Sequence, residues 1–184
     1  MNKQMMVPAL MMALAAPALM GQTAATPAAD LIKAALTEAK GQRTVMLAFH
    51  ASWCSWCRRL EATLARPAVK EIMDRHFVFQ WLTIQERGPK QVLDNPGAAE
   101  LYQAWTGGVQ AGIPFCVVLD GQGKMHASSI RALAPGQAAE NLGYPGSPEE
   151  IKAFIALLKD GAPSLSPAEQ ATLAQELEAA SPKK

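Results

Sequence analysis

The chain has 184 residues, 49% of them hydrophobic, with seventeen Lys and Arg against sixteen Asp and Glu. That length holds one domain with a real core plus appendages, and the near-zero net charge excludes a strong field recruiting nucleic acid or an anionic membrane surface. Three cysteines exclude a disulfide-stapled scaffold, and a lone C-x-x-C pair makes a poor structural zinc site. Residues 1–25 carry a lysine near the start, an apolar stretch from Met5 to Met20 broken by Pro8 and Pro17, and then small and polar residues. They read as a signal peptide and the start of a linker, with cleavage after Ala18, Gly21 or Ala25 left open. The competing reading, an uncleaved anchor, needs about 20 continuous apolar residues. The expected location is periplasmic or otherwise exported, where a cysteine pair meets an oxidising compartment.

The remaining chain divides into an expected α/β domain over 26–161 and a helical tail over 162–184. Asp30 is a plausible N-cap for a helix through Lys40, stopped by Gly41. "RTVMLAFHA" is a short, nearly continuous apolar run that suits a strand covered on both faces. "SWCSWCRRLEATLA" starts a helix with Leu60 and Leu64 on one face, and Pro67 marks a bend or a new first turn into "PAVKEIMDRH". "FVFQWLTIQ" is strand-like, "DNPG" a turn, and "AAELYQAWT" a helix closed by Gly107 and Gly108. "FCVVLD", "GQG" and "KMHASSI" form a hairpin, and "ALAPGQAAENLGYPG" reads as a long irregular connection. Two helices follow, each opened by a capping box: Ser147 with Glu150, and Ser166 with Glu169. In the second, Leu173 and Leu177 offer only a weak apolar stripe, so weak docking without chemistry is expected. A strand–helix–strand unit, a hairpin and a covering helix make an α/β sandwich around one mixed sheet.

The stretch "VMLAFHASWCSWCRRLE", followed some sixty residues on by "GIPFCVVLDGQGK", resembles the thioredoxin superfamily. The resemblance covers about Leu31 to Leu158. A W-C-x-x-C after an apolar strand, together with Gly-Ile-Pro before another strand, is specific where C-x-x-C alone is weak. "CSWCRRLEATLARPAVKEIM" is most similar to exported bacterial members, among them the C-terminal domain of the membrane thiol-disulfide interchange reductase. "NLGYPGSPEEIKAFIALLK" looks like small thioredoxin-like proteins of unassigned substrate. The resemblance implies a thioredoxin-like fold, a mixed central sheet with helices on both faces, here with a C-terminal helical extension. It implies a redox-active Cys54–Cys57 disulfide facing a cis Ile113–Pro114 bond, with Ile113 and Pro114 contacting an extended substrate. The expected partners are protein thiols or disulfides and a redox partner protein. No cofactor, metal, nucleic acid or stable membrane insertion after signal removal is expected, and the protein is expected to be a monomer.

The chemistry of the motif also follows from position. Cys54 at a helix start has unpaired N–H groups and the macrodipole to favour its thiolate, below the roughly 8.5 of a free thiol. Cys57, one turn on, is placed to resolve a mixed disulfide. Trp53 packs beside the sulfur as part of a flat docking surface. The competing reading is a static disulfide, but so small a loop restrains the unfolded chain little.

Three departures from the thioredoxin pattern stand out. Ala48 occupies the place of the usual buried Asp, a vacancy that Glu61 or a water would have to fill. Ser55–Trp56 separates the cysteines where thioredoxin has Gly-Pro. His50 either tunes the thiolate as a cation or merely fills an aromatic position. Cys116 reads as a buried small hydrophobe. The alternative function is a binding protein, for instance a soft-metal (copper) chaperone using Cys54, Cys57 and His50.

Overall fold

The computed structural model describes residues 24–107, 111–132 and 138–182. The expected signal peptide, but for residues 24 and 25, lies outside them, as does Gly108. Strand β1 (Thr44–His50) has five buried residues between half-buried ends and sits inside a sheet of order β2-β1-β3-β4. Strand β2 (Phe77–Thr83) pairs with it in parallel and β3 (Phe115–Leu119) antiparallel, while β4 (Met125–Ser128) edges β3. Side chains alternate along a strand. Met46 and Ala48 therefore enter one cluster with Cys116 and Val118, and Val45, Leu47 and Phe49 enter another with Phe115, Val117 and Leu119. Both faces are apolar because both are covered, which is why β1 shows no polar alternation.

Helices α1 (Ala28–Ala39) and α4 (Ala98–Trp105) bury Ala35, Ala39, Ala98 and Tyr102 on the second face. The first face takes Leu60 of α2 (Ser55–Leu64), Val69, Ile72 and Met73 of α3 (Pro67–His76), and Phe154 and Leu158 of α5 (Pro148–Gly161). Pro67 opens α3 at its first turn, as read. The contact of α5 with the sheet is tight. A Cβ on Gly161 would lie 2.7 Å from Val118 Cγ1, and the Gly161 carbonyl accepts the Thr44 hydroxyl at 2.6 Å. Both capping boxes form, with Ser147 and Ser166 accepting from the backbone of Glu150 and Glu169. Among the described residues, no helix is long and apolar enough to cross a membrane.

Three expectations need correction. Helix α1 begins at Ala28, whose N–H donates to Pro96 O at 2.9 Å. Asp30 therefore lies in the first turn, where its charge suits the helix dipole, and does not cap. The connection after β4 is not wholly irregular. Strands β5 (Ile130–Ala132) and β6 (Ala139–Asn141) pair antiparallel as a second small sheet, and three-residue strands are too short to reveal a period. Helix α6 (Pro167–Ala180) docks firmly, since Leu165, Leu173 and Leu177 are 0%, 1% and 2% exposed within the main core. Its polar anchors lie far away in sequence. Arg66 pairs with Glu176, Arg75 with Glu169 at 2.5 Å, and Arg59 Nη1 donates to Ala180 O at 2.8 Å.

Candidate active site around the Cys54–Cys57 pair

Strand β1 delivers the chain at His50 to a turn, Ala51 to Cys54, closed by the Cys54 N–H donating to Ala51 O at 3.1 Å. Cys54 is then the N-cap of α2, and the Cys57 N–H donates to its Sγ at 3.1 Å. A helix start leaves its first N–H groups without backbone partners. Here one of them is spent on sulfur, the role that Ser or Asp oxygen takes at ordinary caps. The two cysteines are disulfide-bonded with Cα atoms 5.3 Å apart. Both are largely enclosed, Cys54 5% exposed and Cys57 1%, so access favours Cys54 slightly and hydrogen bonding favours it more.

Facing them, the Ile113–Pro114 bond is cis, and the Ile113 carbonyl oxygen lies 3.5 Å from Cys54 Sγ. Ile113 packs on the small cluster of Ala51, Cys54 and Cys57. The second sheet holds this loop. Asn141 Nδ2 donates to Pro114 O at 2.9 Å and to Gly112 O at 3.2 Å, and its Oδ1 accepts from the buried Ser129 hydroxyl at 2.7 Å. Ser129 Oγ in turn accepts the Cys116 N–H at 2.9 Å. Neither Ser129 nor Asn141 stood out in the sequence, because their partners are each other and backbone groups of distant residues, which no side-chain pattern marks.

Glu86 was also missed. It is 4% exposed, and its carboxylate accepts both the backbone N–H and the hydroxyl of Ser52, the latter at 2.8 Å. Lys90 Nζ donates to the same hydroxyl at 3.2 Å, and Arg58 Nη1 to Ser52 O at 2.6 Å. Every polar group of Ser52 is thus engaged, and the turn ahead of Cys54 is fixed. Glu86 stands 34 positions from Ser52, just beyond β2, where an isolated acid reads as loop.

The two tryptophans of the motif flank the sulfurs differently. Trp53, 39% exposed, donates from Nε1 to Gln85 O at 2.7 Å and carries the Arg87 guanidinium 4.0 Å from its ring centre. Trp56, 49% exposed, stacks on Tyr144 at 5.7 Å and has Arg59 5.7 Å from its ring centre. A groove of about 420 Å³ opens beside Trp56, lined also by Ile113, Leu142, Tyr144 and Pro182 among others. A larger groove of about 880 Å³ between α5 and α6 includes none of the motif residues.

His50 Nε2 lies 3.1 Å from Thr83 Oγ1, and its ring rests on Trp81 at 4.7 Å. Burial lowers its pKa below 6.5, against opposing pulls from Glu61 and Glu86. Burial thus disfavours the charged imidazole, while the two carboxylates favour it. Glu61 is exposed on α2. Ala48 pairs across the sheet with Cys116, both fully buried, so the usual acid's place is filled by apolar contact. Cys116 is a thiol whose pKa burial raises to about 12.

The thioredoxin-like family profile matches residues 27–121. No curated protein matches the chain. Among solved structures, a disulphide isomerase from Xylella fastidiosa Temecula1 is 27% identical, covering 63% of this chain and 80% of its own, with a TM-score of 0.42. The oxidised DsbD C-terminal domain of Neisseria meningitidis is 27% identical over 57% of this chain and 84% of its own, with a TM-score of 0.38. A thioredoxin from Thermus thermophilus is 20% identical over 56% of this chain and 71% of its own, with a TM-score of 0.39. With just over half its length matched by the family profile, the chain belongs to the thioredoxin-like family.

Proposed function

We propose that the protein is an exported thiol-disulfide oxidoreductase that exchanges disulfides with protein substrates through Cys54 and Cys57. A thioredoxin-like fold with a C-x-x-C pair is consistent with that enzyme class. The observation that carries the reading is the Cys57 N–H aimed at Cys54 Sγ, because it stabilises negative charge on that sulfur and on no other. In the reduced protein the Cys54 thiolate attacks one sulfur of a substrate disulfide. An S–S bond forms to Cys54, the substrate S–S bond breaks, and one substrate sulfur leaves as thiolate. Cys57, having given its proton to solvent, attacks Cys54 Sγ and expels the second substrate thiolate. The protein gives up two electrons and the substrate gains them, so the sulfurs are the only redox couple required. Run backwards, the same steps oxidise a substrate dithiol.

Trp53, Ile113 and Pro114 line the docking surface in this proposal. The cis-proline step offers no N–H of its own beside the sulfurs and leaves the Ile113 backbone for an extended substrate strand. Residues 1–25 hold the export signal and the start of the linker, 26–161 carry the exchange, and 162–184 form the helical tail that packs on the core. The partners are substrate proteins and a redox partner that resets the pair. Metal holding is the weaker reading. His50 is engaged with Thr83, and among the described residues no cluster of three His, Cys, Asp or Glu side chains is placed to hold an ion.

The test is reduction of insulin by the protein in the presence of dithiothreitol. Catalysed precipitation of the insulin B chain is expected, and its loss in Cys54→Ser. Precipitation no faster than with dithiothreitol alone counts against the proposal.

A further inference from the structure

The distribution of arginine partners divides the molecule in two. The chain has seven arginines. Arg43, Arg66, Arg75 and Arg131 pair with Glu38, Glu176, Glu71 and Glu169, and Glu140 respectively. The other three lie next to the motif, Arg58 and Arg59 directly after Cys57 and Arg87 over Trp53, and among the described residues none of them pairs with a carboxylate. Each is held instead by a neutral anchor. Arg58 donates to Ser52 O, Arg59 donates to Ala180 O and lies over Trp56, and Arg87 lies over Trp53. Lys90, bound to the Ser52 hydroxyl, adds a fourth cation on the same rim.

Of the nearby acids, Glu86 is buried and hydrogen-bonded to Ser52, Asp94 accepts the Glu86 N–H at 3.0 Å, Glu150 is locked in the capping box of α5, and Glu61 is exposed on α2. Among the described residues none of them forms an ion pair with the four cations. The arrangement is ordered as well as cationic. Each tryptophan of W-C-S-W-C has an arginine over its ring, Arg87 at 4.0 Å from Trp53 and Arg59 at 5.7 Å from Trp56, so an aromatic–cation contact stands beside each cysteine in the sequence. An arginine stacked on an aromatic ring keeps its planar fork pre-organised for carboxylates.

We infer that the partner of this site is an acidic polypeptide segment, with Asp or Glu flanking the cysteine that enters exchange with Cys54. The inference rests on the oxidoreductase reading and assigns its substrate class. The Trp53 and Trp56 rings take the apolar backbone of the segment, while Arg58, Arg59, Arg87 and Lys90 take its carboxylates. Complementary charge of this kind acts mainly on the encounter rate and fades with salt.

The probes are three disulfide-linked peptide dimers, Gly-X-Cys-X-Gly with X as Glu, Gln or Lys. The rate at which each oxidises the reduced full-length protein is followed by tryptophan fluorescence. Each rate is divided by that for 2-mercaptoethanol with the same dimer, which removes differences in leaving-group reactivity. The normalised Glu-to-Lys ratio is expected to be about 10 or more at ~10 mM ionic strength and to fall towards one at ~1 M, where the screening length shrinks about tenfold. Arg87→Gln, an exposed position anchored only to a ring, should lower the low-salt ratio several-fold, and R58Q/R59Q/R87Q should bring it close to one. A ratio near or below one at low salt, or one that neither variant changes, overturns the inference while leaving the oxidoreductase reading intact. Failure of all three dimers to oxidise the protein overturns both.

Discussion

Glu86, at the end of the segment after β2, accepts both the backbone N–H and the hydroxyl of Ser52, and so fixes the turn that presents Cys54. The carboxylate is almost fully enclosed, so removing it takes away the charged acceptor of both donors of the exposed Ser52. Hydrogen bonds to a charged group contribute about 1.5–3 kcal/mol. Glu86→Ala is expected to lower the unfolding free energy of the oxidised protein by about 2–3 kcal/mol in urea titrations. Glu86→Gln, which keeps an acceptor for the Ser52 N–H, should lose less. An alanine variant as stable as the parent would show that the turn is held by other means.

Cys116 should remain a thiol while the Cys54–Cys57 pair cycles. Its side chain is fully buried beside Ala48, and burial raises its pKa from 9.0 to about 12. The sign of the pH effect follows. Above about pH 9 the unfolded chain loses this proton and the folded chain keeps it, so stability falls with rising pH up to about 12, by at most ~1.4 kcal/mol per pH unit. Cys116→Ala should flatten that part of the stability profile relative to the parent. Iodoacetamide at pH 8 should alkylate two cysteines of the reduced native protein and the third only after unfolding. Mass-spectrometric mapping that links Cys116 to either partner would contradict this.

Helix α6 is a structural element of the core. Leu173, 1% exposed, is expected to cost about 2–5 kcal/mol on substitution by Ala, the range for a buried leucine that leaves a cavity. Deleting residues from Ser164 onward should expose the face formed by α3 and α5 and lower the melting temperature sharply, whatever happens to activity. Unchanged thermal unfolding of the truncated protein would return α6 to the status of a loosely attached tail.

Acid should weaken the docking of α6. Glu169 has its pKa lowered from 4.5 to about 2, first by the Ser166 backbone N–H and hydroxyl and then by His76 and Arg75. A depressed carboxyl stabilises the fold above its unfolded value, and that contribution is lost as pH falls from about 4.5 towards 2. Hydrogen exchange of the α6 amides should accelerate across that window in the parent, and Glu169→Gln should have faster exchange already at pH 6. Equal protection of α6 in the two proteins at pH 6 would contradict this role.

Local signals in the sequence marked the four strands of the main sheet, both capping boxes, the Pro67 break and the Cys54 helix start, because each depends on neighbours within a few positions. The cysteine motif and Ile113–Pro114 were legible together, as one resemblance spanning two distant segments. What stayed hidden was set by long-range partners. Glu86 gains meaning only when Ser52 lies beside it, and Asn141 only when the Pro114 carbonyl does. The strength of α6 docking depends on Arg59, Arg66, Arg75 and His76, which no periodicity within α6 reveals. His50 is a similar case: its spacing from Cys54 left its role open, and the burial against Trp81 and Thr83 that lowers its pKa depends on β2, which that spacing does not reveal.

The central claim is that Cys54 exchanges and Cys57 resolves, and covalent trapping tests it most directly. Reduced Cys57→Ser protein mixed with a disulfide-linked peptide dimer should accumulate a mixed disulfide through Cys54, visible by mass spectrometry, because the resolving thiol is gone. Reduced Cys54→Ser protein should form such an adduct at least about tenfold more slowly, since its remaining site thiol is enclosed and lacks the helix-start N–H that serves Cys54. Equal trapping by the two variants, or faster trapping through Cys57, would contradict the account.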